Sequence, residues 1–393
     1  MISQKMLGLG KKSSVIREIF EYGNRRRAEI GAENVYDFSL GNPSIPAPEA
    51  VKQALCSLLE NTDPVTLHGY TSAPGALVVR ERIAASIQER FGVEAKAENI
   101  YMTCGAAASL TVSLKALVNE GDEVIVLAPF FPEYRVFAEA AGATPVVSLP
   151  RADMGPDLEM LSALVTPKTK AVIINSPNNP TGAVIGEEDV KALCALLTAK
   201  QQQYGTDIYI IADEPYRELV YGDVKVPYLP AYYDNTLVCY SYSKSLSLPG
   251  ERIGYIFVSP KAKDSGDLFA AVCGAGRALG FVCAPSMMQY AIAECLDTKA
   301  DIAAYEENRN LLYNALKEYG YEVIEPQGAF YLFMKSPEAD ANTFCQKAKK
   351  YELLLVPGDS FGAEGYVRIS YCVAKSTIEN ALPAFKKLMG EYK

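Results

Sequence analysis

Short apolar runs rich in valine and isoleucine alternate with segments of helical periodicity through the centre of the chain. Such runs are typical of strands buried on both faces, and the helices between them suit crossovers between parallel strands. The sequence therefore predicts an α/β fold with a mostly parallel, doubly wound sheet of seven strands. The predicted strands are Ile100–Thr103, Glu123–Leu127, Pro145–Ser148, Ala171–Asn175, Asp207–Ala212, Thr236–Tyr240 and Ile253–Val258. The predicted helices between and after them are Ala106–Val118, Tyr134–Ala141, Gly186–Lys200 and Ala262–Val272.

The two ends of the chain have a different pattern. Residues 13–31 have the pattern of an amphipathic helix, and a long helical pattern begins near Met287. Strands are predicted after it, at Tyr321–Ile324, Ala329–Met334 and Val367–Ser370. A chain of 393 residues has room for roughly two domains. We predict a large domain over residues 46–285 and a smaller α+β domain formed by residues 1–45 and 286–393.

Charge and hydropathy narrow the possible partners. The formal net charge is −9, and the cluster Arg25-Arg26-Arg27 lies in a predicted helix, where a solvated face is the ordinary explanation. No apolar run reaches the ~18 residues that a membrane helix needs. We expect a cytoplasmic protein that binds neither nucleic acid nor a membrane.

Cysteine and histidine usage argues against a metal centre. The nine cysteines include no Cys-x-x-Cys pair, so they indicate neither a disulfide framework nor a zinc site. His68 is the only histidine, which excludes a site built from several histidines. No metal is expected.

Polar side chains follow the carboxyl ends of the predicted strands, where ligands bind in open α/β sheets. Ala171–Asn175 runs into Ser176-Pro177-Asn178-Asn179-Pro180-Thr181-Gly182, and Asp207–Ala212 runs into Asp213-Glu214-Pro215-Tyr216. Ile100–Thr103 passes through Gly105 into a helix, and free N–H groups at a helix start can bind a phosphate.

Lys244 follows the strand Thr236–Tyr240 and lies between hydroxyl side chains, with Arg252 eight residues later. A primary amine near a fixed cation loses its proton more readily and can attack a carbonyl. Each feature alone has an ordinary explanation: a structural turn, a helix cap, a helix start or a surface lysine. Together, an amine, a carboxylate, a phenol, an amide and a phosphate cradle are the groups that pyridoxal phosphate requires.

Over nearly its full length the chain resembles the class I/II aminotransferases, the aspartate-aminotransferase-like family of pyridoxal-phosphate enzymes with fold type I. The resemblance is carried, in order, by Gly41-Asn42-Pro43, Tyr70 followed by Gly75, Thr103-Cys104-Gly105, Pro129-Phe130-Phe131-Pro132-Glu133-Tyr134, Asn178-Asn179-Pro180-Thr181-Gly182, Asp213-Glu214-Pro215-Tyr216, Ser241-Tyr242-Ser243-Lys244, Pro249-Gly250-Glu251-Arg252-Ile253-Gly254 and Val367-Arg368-Ile369-Ser370. As an ordered set these motifs are highly specific.

The resemblance implies roles for the residues around the cofactor ring. Lys244 corresponds to the lysine that bonds to the cofactor aldehyde as a Schiff base and then serves as the catalytic base. Asp213 corresponds to the partner of the pyridine nitrogen, and Asn179 and Tyr216 to the donors to its phenolate oxygen. Phe131 falls where the family stacks an aromatic ring on the cofactor, unless it is a core residue.

The resemblance also implies a phosphate site and a dimer. The phosphate contacts would come from three side chains and two backbone N–H groups, those of Ser241, Ser243, Arg252, Ala107 and Ala108. Tyr70 would reach the phosphate from the neighbouring subunit, so a homodimer with shared active sites is implied. The chain departs from many relatives at Ala107 and Ala108, where they carry a hydroxyl or a longer polar side chain, so one contact can be lost or supplied by water.

Arg368 matches the arginine that binds the substrate α-carboxylate, aided by Asn179, and a lysine there should bind substrate much less well. Gly41 matches the family position at which the backbone comes close to the same carboxylate. The alternative is an ordinary loop glycine. Arg277 is the one candidate cation for the distal carboxylate of a dicarboxylic substrate. The alternative is that Arg277 is a surface or dimer-contact residue. His68 could line the site or the dimer interface. The alternative is that it has an ordinary packing role.

The implied activity is transfer of an amino group between an L-amino acid and a 2-oxo acid, aspartate-like or of broad specificity, with Lys244, Asp213 and Tyr216 as catalytic residues. A carbon–sulfur β-lyase or a cyclopropane-forming synthase shares the early chemistry and is the first alternative. The second is a cofactor-sensing regulator. It is disfavoured because only about forty residues precede the first motif and the chain is acidic.

Overall fold

The computed structural model describes residues 2–11 and 15–393. The strands within these residues are β1 (Tyr36–Asp37), β2 (Ile100–Thr103), β3 (Glu123–Leu127), β4 (Thr144–Ser148), β5 (Thr169–Asn175), β6 (Tyr209–Asp213), β7 (Thr236–Ser241), β8 (Gly254–Val258), β9 (Val323–Ile324), β10 (Tyr331–Lys335), β11 (Leu353–Leu354), β12 (Val356–Pro357) and β13 (Tyr366–Ser370). All seven strands predicted for the central sheet are present, and their bounds differ from the predicted ones by at most two residues.

The α-helices are α1 (Gln4–Lys11), α2 (Val15–Ile30), α3 (Glu49–Asn61), α4 (Pro64–His68), α5 (Leu77–Phe91), α6 (Ala106–Leu117), α7 (Glu133–Ala141), α8 (Leu158–Leu164), α9 (Glu187–Tyr204), α10 (Tyr242–Ser245), α11 (Ser265–Ala278), α12 (Ser286–Ala293), α13 (Ile302–Tyr319), α14 (Ala341–Ala348) and α15 (Lys375–Met389). The predicted helix over residues 13–31 corresponds to α2, and residues 13 and 14 lie outside the described residues. The single long helix predicted from Met287 is two helices, α12 and α13. Among the described residues, no helix combines the length and the apolar character that a membrane span needs.

The seven-stranded sheet has the order β2-β8-β7-β6-β5-β3-β4. The strands from β4 to β7 pair in parallel, whereas β8 pairs antiparallel with both β7 and β2. The predicted mostly parallel α/β fold is therefore confirmed. Because β8 alone runs in the opposite direction, its first residue lies at the edge where the other strands end.

Both faces of this sheet are buried, which explains why its strands are continuous apolar runs rather than alternating ones. In β6, Ile210 and Ala212 pack on one face and Ile211 packs on the other. Side chains of α3, α5, α9 and α12 cover the first face, and α6, α7 and α11 cover the second. The sheet is thus held between two helical layers, and only its edges are free to carry polar groups.

A second, antiparallel sheet has the order β12-β13-β10-β9, and β1 pairs in parallel with β11 beside it. Its core is separate and rich in aromatic residues, including Phe330, Tyr305, Tyr371 and Phe385. Segments near both termini contribute to this core. The second sheet brings β13, and with it Arg368, toward the carboxyl edge of the first.

Candidate active site

A cavity of about 320 Å³ lies at the carboxyl edge of the large sheet and reaches the second sheet. Predicted site residues from distant parts of the sequence line it, namely Gly41, Ala107, Phe131, Asn179, Asp213, Tyr216, Ser241, Ser243, Lys244, Arg252 and Arg368. The strand ends account for the clustering: Asn175 pairs with Asp213 across β5 and β6, and Ser241 pairs with Gly254 across β7 and β8. Arg252 joins the group because β8 begins at this edge.

Four residues considered from the sequence lie outside the cavity wall. Ala108 is buried within α6, behind Ala106 and Ala107. Tyr70 is 89% exposed, and His68 is also on the surface. Arg277 is exposed in the last turn of α11 and does not line the cavity of its own chain.

Lys244 lies in α10, a short helix capped by Ser241. Its Nζ donates a hydrogen bond of 2.6 Å to the carbonyl oxygen of Gly41 and lies 5.2 Å from the centre of the Phe330 ring. Burial lowers the pKa of the amine to about 8, and the positive charges of Arg252 and Arg368 act in the same direction. The amine is therefore partly neutral just above neutral pH, which a nucleophile requires.

This pKa gives a testable pH dependence. In the protein without cofactor, we expect the rate at which Lys244 reacts with an added aldehyde to rise with pH through about 8, since the ammonium form cannot attack. Borohydride trapping followed by mass spectrometry of the Lys244 peptide measures this rate. A rate that rises only near pH 10, as for an ordinary lysine, would contradict the lowered pKa.

Asp213 ends β6 and is buried, with two different environments for its two carboxylate oxygens. The Tyr134 hydroxyl donates to Oδ2, while Oδ1 is buried without a hydrogen-bond partner. Burial raises the pKa of the carboxyl to about 7, and the Tyr134 hydrogen bond opposes that rise. The Asn175 amide donates to the Asp213 carbonyl oxygen over 2.8 Å. The carboxylate is thus fixed in place with one oxygen left for a donor that the protein does not supply.

Tyr216 and Tyr331 form one side of the cavity. Their hydroxyls are hydrogen-bonded over 2.9 Å, and burial raises the pKa of Tyr216 well above its ordinary value, so it remains a neutral donor. A Cβ on Gly41 would lie 1.9 Å from the Tyr331 hydroxyl oxygen. Position 41 therefore has no room for a side chain unless Tyr331 moves.

Arg368 is buried at the second-sheet end of the cavity. Its Nη1 donates to Asn179 Oδ1 over 3.1 Å, its Nη2 donates to the Ser39 carbonyl oxygen, and its Nε is buried without a partner. The rings of Tyr331 and Phe361 lie 4.8 and 4.9 Å from the guanidinium carbon. Burial disfavours the charged form and so lowers the pKa of Arg368. Within the described residues, none of the contacts of the guanidinium is with a carboxylate. An incoming carboxylate would supply the missing anion.

The opposite end of the cavity has the features of an anion site. Ser241 Oγ and Ser243 Oγ are 2.7 Å apart, and α6 begins directly after its N-cap residue Gly105, with first-turn N–H groups that have no acceptor within the helix. Gly105 has a φ of +89°, and a Cβ there would lie 2.8 Å from Nη2 of Arg252. Glycine thus allows the guanidinium to approach the start of the helix.

The structure adds Tyr134, Asn175, Tyr331 and Ser39 to the site, and the sequence analysis assigned no role to them. Tyr134 is the last residue of the motif that begins at Pro129, and Asn175 precedes the motif Asn178–Gly182. Their positions after β3 and at the end of β5 could therefore have indicated that they belong to the site. Tyr331 and Ser39 contact the site through pairings with residues more than 100 positions away. No local pattern indicates such contacts.

Comparison with known families and structures identifies the class of protein. The protein-family model for aminotransferase class I and II matches residues 32–385, so the chain belongs to this family. The chain is 33% identical to the aspartate aminotransferase of Thermotoga maritima over 89% of this chain and 90% of that protein. It is 28% identical to aromatic-amino-acid aminotransferase 2 of Thermococcus litoralis, covering 97% and 96% of the two chains.

Solved structures give the same result for the fold. An aminotransferase from Eubacterium rectale is 52% identical and superimposes with a TM-score of 0.98 over 100% of this chain and 99% of that one. The aspartate aminotransferase of Thermus thermophilus with maleate is 26% identical, with a TM-score of 0.88 over 99% of both chains. The predicted family, fold type and aminotransferase activity toward an amino acid and a 2-oxo acid are confirmed.

Proposed function

We propose that this aminotransferase uses pyridoxal phosphate, held by the residues of the cavity, in a homodimer with shared active sites. The observation that carries the proposal is the buried, unpartnered Oδ1 of Asp213 in the same cavity as an amine whose pKa is about 8. A buried carboxylate oxygen without a hydrogen-bond partner is costly, and a protonated ring nitrogen would remove that cost.

The residues present fit each part of the cofactor. Lys244 would bond to its aldehyde, Asp213 would hold its ring nitrogen, and Phe131 would stack on its ring. Asn179 and Tyr216 would donate to its phenolate oxygen. The phosphate would be held by Ser241, Ser243, Arg252 and the first-turn N–H groups of α6, including those of Ala107 and Ala108. When bound, the cofactor supplies an electron sink that stabilises negative charge at the substrate Cα.

Substrate binding and proton transfer would fall to the residues around Lys244. Arg368 would bind the α-carboxylate through its free Nε and the neighbouring Nη, close to Gly41 and Asn179. Lys244, once free of the cofactor, would take the proton from the substrate Cα as general base. Its lowered pKa leaves it partly unprotonated at pH 7 to 8, which suits this role.

Exposed apolar side chains support the dimer. Tyr70 is 89% exposed, Val65 is 81% exposed and Val282 is 63% exposed. Large apolar groups left in solvent on one chain suit burial against a second copy. In that arrangement Tyr70 would reach the partner's phosphate site.

The division into a large domain (46–285) and a small domain (1–45 and 286–393) stays a prediction. The separate aromatic core around Phe330 supports two domains. Met288 and Ile292 of α12 pack with the core of the large sheet, so α12 belongs with that layer.

Relatives are named for aspartate and for aromatic amino acids, so membership of the family does not decide which amino-acid side chain the enzyme accepts.

A half-reaction screen tests the proposed function. The enzyme loaded with pyridoxal phosphate is mixed with single amino acids, and the absorbance of the bound cofactor is followed as it converts to pyridoxamine phosphate. We expect conversion with at least one L-amino acid, and no conversion with any donor would contradict the proposal. Release of pyruvate and ammonia from a cysteine conjugate without a 2-oxo acid would indicate a lyase instead.

A further inference from the structure

A second cavity, of about 340 Å³, lies behind the short helix that carries Lys244. We call it the rear cavity; it is bounded by α5, by the end of β7, by the start of β8 and by residues 295–299. Among the described residues, none lines both this cavity and the active site. Within α10, Ser243 and Lys244 line the active site, whereas Tyr242 and Ser245 line the rear cavity. The two cavities are therefore separate spaces on opposite sides of one motif.

Two buried phenol hydroxyls of the rear cavity have no hydrogen-bond partner. Tyr242 is 5% exposed and Tyr255 is 6% exposed, and neither hydroxyl is bonded to another group in the part of the chain that the structure describes. Burial raises the pKa of both phenols, so both keep their protons and can donate. The neighbouring Tyr240 differs, because its hydroxyl donates to Glu218 over 2.9 Å and lies 3.0 Å from Ser245 Oγ. Buried donors without an acceptor are costly, and a ligand that accepts hydrogen bonds would remove that cost.

The charged groups of the rear cavity leave more free donors than free acceptors. The Arg90 guanidinium donates to Glu218 through Nη2, and the other oxygen of Glu218 accepts from Tyr240, so this carboxylate is paired. Nε and Nη1 of Arg90 make no hydrogen bond within the described residues. Lys299 and Asp297 are exposed at the rim and carry opposite charges. Two phenols and a guanidinium with unused N–H groups suit a carboxylate.

The remaining wall of the rear cavity is apolar. Ile83 and Ile87 of α5 and Leu246 after α10 line it, and each is at most 2% exposed. An aliphatic chain would be buried against these side chains. The volume lies within the range of small-molecule sites, about 300–1,000 Å³. Tyr70 and Val282, which support the dimer, do not line this cavity.

We propose that the rear cavity is a second binding site for a small aliphatic carboxylate. Its carboxylate would accept from the hydroxyls of Tyr242 and Tyr255, and its hydrocarbon chain would lie against the apolar wall. The site goes beyond the proposed function, since it uses none of the residues assigned there to cofactor or substrate. Amino acids and 2-oxo acids, the reactants of an aminotransferase, both carry such a carboxylate. A ligand in this cavity would lie beside Ser245, the residue after Lys244.

Equilibrium dialysis of the cofactor-loaded enzyme with radiolabelled 4-methylpentanoate tests the proposal. This unreactive carboxylate can also bind at Arg368, so the number bound per chain is compared between variants. The double variant Tyr242→Phe/Tyr255→Phe keeps both rings and removes both hydroxyls. We expect it to bind one molecule fewer per chain than the wild type, since each lost hydroxyl should weaken binding in the rear cavity at least ~10-fold.

Tyr228→Phe is the matched control for the double variant. The Tyr228 hydroxyl is also buried without a partner, but it lies outside the rear cavity. This variant should bind as many molecules as the wild type. Equal binding by the wild type and the double variant would overturn the proposal, and so would an equal loss in Tyr228→Phe.

A variant that fills the cavity tests the same site without removing a phenol. Ser86 of α5 lines the rear cavity and is half-buried, so Ser86→Trp should occupy its volume. We expect the loss of the same one molecule per chain. Ala85→Trp, at an exposed position of the same helix outside the cavity, should bind as the wild type does. Undiminished binding by Ser86→Trp would show that the ligand does not occupy the rear cavity.

Leucine and 4-methyl-2-oxopentanoate distinguish the two sources of the carboxylate. Enzyme reduced with borohydride, in which the cofactor is fixed to Lys244, cannot turn either compound over. Dialysis of the reduced wild type and double variant then gives the binding at the rear cavity as their difference, and the compound that binds there more tightly is the ligand. If neither compound shows a difference, the proposal is wrong. The half-reaction screen is independent of these counts, so failure of the proposed function is recognised separately.

Discussion

Lys244→Ala should leave a protein that still binds pyridoxal phosphate but neither bonds to it covalently nor transfers amino groups at an appreciable rate. The amine donates to the Gly41 carbonyl oxygen within the cavity, and its lowered pKa makes it the one described side chain there that can attack an aldehyde. Loss of a general base alone typically slows turnover by about 10²- to 10⁴-fold. The proposed phosphate contacts would remain, so the affinity for the cofactor should fall much less than the rate.

Borohydride reduction followed by peptide mass spectrometry measures the covalent bond directly. In the wild type, the cofactor mass should appear on the peptide containing Lys244, and in the variant it should appear on no specific peptide. Lys168→Ala, which removes an exposed lysine far from the cavity wall, is the matched control and should behave as the wild type. Normal turnover by Lys244→Ala would show that the central assignment is wrong.

The strands of the large sheet could be predicted from the sequence because burial on both faces requires unbroken apolar runs. Val172, Ile173 and Ile174 of β5 show this, since neighbouring residues pack into opposite cores. The strand ends then identified Asp213 and Lys244 as candidates, because polar groups directly after such runs must lie at the sheet edge. Arg368 could be assigned only through the family resemblance.

Contacts between distant segments could not be predicted in this way. The reversal of β8 depends on which strands it pairs with, and an apolar run contains no signal for direction. The short strands β11 and β12 are two residues each, too brief for a periodic pattern. The Tyr134 hydrogen bond to Asp213 joins residues 79 positions apart, so no local sequence pattern predicts it.

Asp213→Asn should reduce the turnover of the cofactor-loaded enzyme by about 10²- to 10³-fold, the usual effect of removing a charge aimed at developing charge in a reaction. Asparagine keeps the shape of the side chain and an oxygen that accepts from Tyr134. It cannot hold the ring nitrogen in its protonated form, because it lacks the negative charge. Affinity for the cofactor should also fall, since a charge-assisted hydrogen bond is replaced by a neutral one.

The protein without cofactor gives an independent measurement of the same carboxyl group. Burial raises its pKa from 3.8 to about 7, so the stability that its neutral form contributes is present below about pH 4 and is lost as pH rises through 7. Asparagine stays neutral throughout. The Tm of Asp213→Asn relative to wild type should therefore be higher at pH 8 than at pH 5, whereas Asp223→Asn, at an exposed carboxylate, should show no such change. If the Tm difference is the same at both pH values, Asp213 does not carry the unpaired buried charge that its free Oδ1 indicates.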